Sequence, residues 1–141
     1  MTTDKTDYME AQTLDRIFNN TAPDGAVDGC YVALWASSPA NAPSDANEIT
    51  GGSYSPVQVT ASGWTQTQAS APRTYENASE IDFGVLDSGS DVTVAGVVLF
   101  DGSDTANDNA LYADDLSGGS TTVLAGDEFK FNAGDLTVDE D

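Results

Sequence analysis

From Val27 to the end of the chain, short apolar runs alternate with clusters of Gly, Pro, Ser, Asn and Asp, a rhythm that limits the possible folds more than any other feature. Apolar runs of this length between turn formers read as strands, and strands at near-regular spacing build a sandwich or barrel. Cys30–Trp35 (CYVALW) is a strand, ended by Ser37, Ser38 and Pro39, and residues 37–53 form a long loop. Tyr54–Ala61 alternates in polarity, with Pro56 marking an edge or an entry bend. Trp64–Tyr75 is a weakly paired polar strand and its turn, and Ile81–Leu86 is a strand closed by Asp87–Asp91 (DSGSD). Val92–Phe100 (VTVAGVVLF), the most apolar run, is the expected central strand. After the turn at Asp101–Asn109 come Ala110–Ala113, Thr121–Leu124 and Glu128–Phe131, the last two separated by a Gly126-Asp127 turn. Leu136 and Val138 mark a final strand. The expected fold is all-β: an antiparallel, jelly-roll-like sandwich of about six to eight strands.

One helix precedes it. Over residues 7–20, Met9, Leu14, Ile17 and Phe18 recur at roughly helical spacing, and Asn19, Asn20, Pro23 and Gly25 stop the run. Asp7 and Glu10 have the spacing of a capping box and suit the positive end of the helix dipole. The stripe is narrow, so the helix is expected to lean on something, with Leu14, Ile17 and Phe18 as assembly contacts. The chain then divides into a helical docking segment, 1–26, and a β-sandwich domain, 27–141. Met1–Asp7 lacks the apolar core of a signal peptide.

Charge decides which partners are open. Of the 141 residues 24 are acidic, eighteen of them Asp, against four basic ones (Lys5, Arg16, Arg73 and Lys130), for a net charge of −20. Such a surface repels itself in dilute buffer, whereas at molar salt the Debye length falls to about 3 Å and the repulsion is screened. Disordered acidic chains lack apolar residues, but this one is 39% hydrophobic and carries Trp35 and Trp64. The composition is that of a folded halophilic domain. Four cations cannot neutralise a phosphate backbone or an anionic membrane, so neither nucleic acid nor membrane is an expected partner. The open choices are a second copy of the chain, another protein, a glycan or a cation.

Chemistry is thinly supplied. There is no His, hence no imidazole base or ligand, and Cys30, in an apolar run, reads as a buried structural thiol. Carboxylate pairs at glycosidase separation could arise anywhere among so many acids, so they carry little information, and no catalytic residue is assigned. Asp101, Asp104, Asp108 and Asn109 crowd into one turn as hard oxygen ligands suited to Ca²⁺ or Na⁺, against the plainer reading of a solvated acidic turn. No other cofactor is expected. Trp64 and Tyr75 are the aromatic candidates for stacking on a sugar or a neighbouring subunit, with the 101–109 turn as a further contact. Asn19-Asn20-Thr21 and Asn77-Ala78-Ser79 have the form of glycosylation sequons.

Three segments, in order, carry a family resemblance: Tyr31–Trp35 (YVALW), Glu48–Tyr54 (EITGGSY), and Ala125–Phe131 (AGDEFKF) running on through Gly134–Val138. Between them, Gly84–Asp87 or Val97–Asp101 stands where a strand ends in Asp, and Leu14-Asp15 matches a pair in a leading helix. Together these resemble a family of small tailed-phage virion proteins, labelled tail-fibre-like or minor structural proteins. Ser55-Pro56 stands where that family commonly has a basic residue, and the Asp-rich turn looks inserted. The resemblance implies a virion structural protein, here of a haloarchaeal virus and assembled in the host cytoplasm. It would work by symmetric self-association and docking to major capsid or tail proteins. A capsid-surface decoration or turret protein is the first expectation. A tail-fibre or baseplate protein, or a module binding a receptor or host-surface glycan, is the alternative.

Overall fold

The computed structural model describes residues 2–18, 29–39, 43–70 and 73–140. Among them the chain runs β1 (Thr2–Lys5), α1 (Asp7–Phe18), β2 (Cys30–Trp35), β3 (Val57–Val59), β4 (Trp64–Gln68) and β5 (Arg73–Asn77). It continues through β6 (Ile81–Val85), β7 (Val92–Val94), β8 (Gly96–Phe100) and β9 (Ala110–Asp115). β10 (Thr121–Val123), β11 (Glu128–Phe131) and β12 (Thr137–Glu140) complete it. The architecture is the expected all-β sandwich behind a single helix, but with twelve short strands among the described residues.

Eight strands form one sheet in the order β3-β2-β8-β9-β1-β12-β5-β4. Neighbours are antiparallel except β1 and β12, where Thr2 lies beside Thr137 and Thr3 beside Val138 in parallel register. β1 joins the two halves of the sheet, since its other end pairs Asp4 with Ala113 and Lys5 with Tyr112 of β9. The remaining strands form two ladders, β7 with β10 and β6 with β11. β3 passes into β4 through a 3₁₀ turn at Ala61–Gly63, and a Cβ on Gly63 would stand 2.7 Å from Val59 Cγ1. The two ends of the sheet are thereby brought together, so the sheet curls.

One expectation is corrected. Val92–Phe100 is not one strand: β7 pairs with β10, β8 pairs with β2 and β9, and the chain changes sheet at Ala95-Gly96. The Ala95 N–H donates to Trp35 O (2.8 Å), and Ala95 O accepts from Leu116 N–H (2.9 Å), which pins the corner. Gly96 fits there because a Cβ would stand 2.3 Å from Pro39 Cδ and 2.8 Å from Asp114 O. Gly126-Asp127 lies between β10 and β11, as expected, and these two strands belong to different ladders. That turn carries the chain from one ladder to the other.

β2 and β8 are apolar throughout because both of their faces are covered. Cys30, Val32, Leu34, Val97 and Leu99 enter the main core with Ile81, Phe83, Leu86, Val94, Phe131 and Leu136. Ala33, Trp35, Val98, Phe100 and Ala113 build a second core on the opposite face. There Trp35 stacks on Phe100, ring centroids 5.7 Å apart, and its Nε1–H donates to Ser44 O (3.1 Å).

The helix begins at Asp7, as expected, but Asp7 is not its cap. Thr6 is the cap: its carbonyl accepts from Glu10 N–H (3.0 Å) and its Oγ1 accepts from Met9 N–H (3.4 Å). The buried Thr6 hydroxyl shares its one proton between the carbonyls of Ala110 and Leu111, tying α1 to β9. Asp7 and Glu10 occupy the first turn, where their charge still favours the dipole.

Candidate functional site

Two of the segments that carry the family resemblance, Glu48–Tyr54 and Ala125–Phe131, meet at one corner with the strand end at Asp87. Gly52, at φ 57°, lies so close to the next segment that a Cβ would stand 2.2 Å from Leu86 O. Ser53 Oγ–H donates to Val85 O (3.1 Å), and Gly126 N–H donates to Asp87 O (2.8 Å). Asp87 Oδ1 accepts from Gly89 N–H (2.8 Å) and Ser90 N–H (3.2 Å), and Ala125 N–H donates to Asp91 Oδ1 (2.9 Å). The Gly-Gly loop, DSGSD and Ala-Gly-Asp are thus three walls of one joint. Gly52→Ala is expected to destabilise the fold by about 2 kcal/mol, since it adds positive-φ strain to a backbone clash, measured by denaturant unfolding.

Glu48 and Tyr54 close the long loop. β3 ends opposite Val32, so Leu34 N–H is left beyond its reach, and Tyr54 Oη accepts it at 2.8 Å. Tyr54 O–H donates to Glu48 Oε1 (3.0 Å), and Thr105 Oγ1–H donates to Glu48 Oε2. Burial, with the nearby Glu48 charge, pushes the Tyr54 hydroxyl well above its ordinary range, so it stays a donor. Tyr54→Phe would orphan a buried N–H and one oxygen of the Glu48 carboxylate, and a loss of about 1–3 kcal/mol in unfolding free energy is expected.

The acidic turn is organised by its own carboxylates. Asp101 accepts from Asn109 N–H and Nδ2–H, both at 2.8 Å, which closes the neck. Asp104 accepts from Ala106 N–H (3.2 Å) and Asn107 Nδ2–H (2.7 Å), while Asp108 accepts from Asp104 N–H (2.7 Å). Asp101, Asp104, Asp108 and Asn109 therefore share one turn, as the sequence implied, with each of the three carboxylates bonded to the turn itself. Among the described residues no three His, Cys, Asp or Glu side chains gather at a spacing that would hold a metal ion. A cleft of about 280 Å³ separates this turn from the start of α1 and is bordered by Asp7, Tyr8, Asp45 and Asp108.

Trp64 and Tyr75 come together. With Cys30, Leu99, Tyr112 and Val138 they line an apolar cleft of about 170 Å³ inside the curl of the sheet, where Tyr75 remains 37% exposed. The 101–109 turn does not join them. Its flanking Phe100 and Ala110 belong to the core on the other face of the sheet. Leu14, Ile17 and Phe18 lie on α1, which packs on β1 and β9, and their side chains fall outside the described residues.

Burial pushes the Cys30 thiol up to about 12, from 9.0 when exposed. The folded thiol holds its proton where the unfolded one loses it, so this contribution to stability is complete below pH 9 and is lost as pH rises toward 12. Cys30 is expected to resist iodoacetamide in native protein at pH 8 and to react on unfolding, followed by mass spectrometry.

Sequence reasoning missed Asn77. It is 1% exposed, and its amide donates to Ser79 O (2.7 Å) and Asn132 O (2.9 Å) while accepting from Leu136 N–H (2.9 Å). Its sequon is therefore used internally, and the folded amide is closed to a glycan. Asn19, in the other sequon, lies outside the described residues.

What these places share is architecture: turns locked by Asp and Gly, cores on both sides of one sheet, and an aromatic cleft at its end. This is the build of a structural β module. From residue 4 to residue 139 the chain matches the family described as podophage GP4 fiber I protein gp80, and it belongs to that family. No curated protein matches it. Among the described residues no helix is long and apolar enough to cross a membrane.

Proposed function

We propose that this chain is a self-associating structural subunit of a virion fibre in a tailed virus adapted to high salt. Its work is docking, and the acidic loops face the solvent. The family match across nearly the whole chain carries this reading, because its description names a fibre protein. It moves the weight from the capsid surface, the first expectation from sequence, toward the fibre. Imaging of virions carrying a labelled copy tests this. Label on a fibre agrees, and label spread over the shell returns the protein to a decoration or turret role.

The salt element stands on the net charge of −20. Tm is expected to rise by about 10 °C, on the order of 3 kcal/mol, between dilute buffer and molar KCl. A flat profile contradicts the halophilic reading.

Receptor or glycan binding is the second reading, favoured by the meeting of Trp64 and Tyr75 in one cleft. Ligand pockets usually span about 300–1,000 Å³, so a cleft of about 170 Å³ suits a single stacked ring more than an oligosaccharide. A glycan array at molar salt, with Trp64→Ala as control, tests it. Absence of binding and unchanged virus adsorption would dispose of it.

A further inference from the structure

We infer that the open edge of β4 is the surface on which one copy of this chain pairs with a second. This rests on the self-association proposed above and adds where the copies meet. From Ile49 through Tyr75 the chain has no Asp or Glu, although 24 of its 141 residues are acidic. Burial does not explain the gap, because Thr65 through Ser70 are all exposed. The stretch includes β4, and β4 is the last strand of the eight-stranded sheet, with β5 on one side and no strand on the other among the described residues. Open edges attract other strands, so natural proteins guard them with charge or Pro. Trp64–Gln68 (WTQTQ) carries neither.

The partner follows from electrostatics. A basic partner would be met by acids, which this molecule has in abundance elsewhere. An equally acidic partner calls for a contact free of carboxylates, and a second copy, at −20, is such a partner. Two β4 strands related by a two-fold axis pair antiparallel, each offering the same N–H and C=O groups to the other. The polar Thr and Gln side chains stay wet at the rim, and the exposed Tyr75 stands on the neighbouring β5.

The test is Thr65→Asp/Thr67→Asp, with Thr67→Lys as a second probe, since edge lysines are a natural block to strand pairing. Ser103→Asp, in the acidic turn, is the control. Sedimentation in about 3 M KCl should show wild type and the control self-associating, and both β4 variants at least about tenfold weaker with unchanged circular dichroism. Salt screens the added charges but does not remove the cost of desolvating them, so the effect should persist in brine. Variants that associate like wild type overturn the β4 surface and leave self-association standing. A wild type that stays monomeric up to about 1 mM overturns both.

Discussion

Trp35→Ala should cost about 3–5 kcal/mol of unfolding free energy, the range for emptying a large buried aromatic site. The reason is the second core. Trp35 is 1% exposed, and it fills the outer face of β2 between Phe100 and the returning loop. The substitution also removes the Nε1–H that Ser44 O accepts, so the loop loses its anchor as well as its packing. Ala36 N–H to Asn47 O (2.8 Å) and Ile49 N–H to Leu34 O (2.9 Å) hold the same loop from either end, so its base should survive. Denaturant unfolding at molar KCl reads the loss. A cost below about 1 kcal/mol would mean that this face carries no true core.

The second large effect is expected at Asn77. Its side chain makes three hydrogen bonds, and its backbone adds Asn77 N–H to Leu136 O (3.1 Å) and Gly134 N–H to Asn77 O (2.9 Å). Asn77→Ala leaves the buried Leu136 N–H without a partner and removes the bonds to the carbonyls of Ser79 and Asn132, which lie on exposed residues. A loss of about 2–4 kcal/mol follows from the stranded Leu136 N–H together with the two lost bonds. Asn77→Asp should do no better, because a carboxylate cannot donate to the two carbonyls and brings a charge out of water. Hydrogen exchange gives a local signature: the Leu136 amide should lose protection before the amides of β2 and β8 do. Equal protection of Leu136 in the variant would contradict the role assigned to Asn77.

These two sites show what the sequence made legible and what it hid. β2 and β6 stood out because an apolar run between turn formers has few other readings, and the register confirms Cys30–Trp35 to the residue. The sheet change at Ala95-Gly96 was hidden because β8 is covered on both faces. Its residues stay apolar and erase the period-two signal that would have marked a boundary. β1 was invisible for the opposite reason: Thr2–Lys5 offers no apolar run, and its place between β9 and β12 is written in backbone pairing. Asn77 read as a sequon because its burial depends on residues 132–136, far along the chain. The Gly-Gly and Gly-Asp turns were legible as turns, but their meeting at Asp87 was not. The missing acids between Ile49 and Tyr75 could have been read from the sequence. Their meaning needed the topology, which puts β4 at an edge.

The measurement that bears most directly on the central claim is quantitative mass spectrometry of gradient-purified virions of the virus that encodes this chain. A structural fibre subunit must be present in the particle in several copies, at a fixed ratio to the other virion proteins, after washing in molar salt. Its presence in infected-cell lysate alone, with none in the purified particles, would contradict the account.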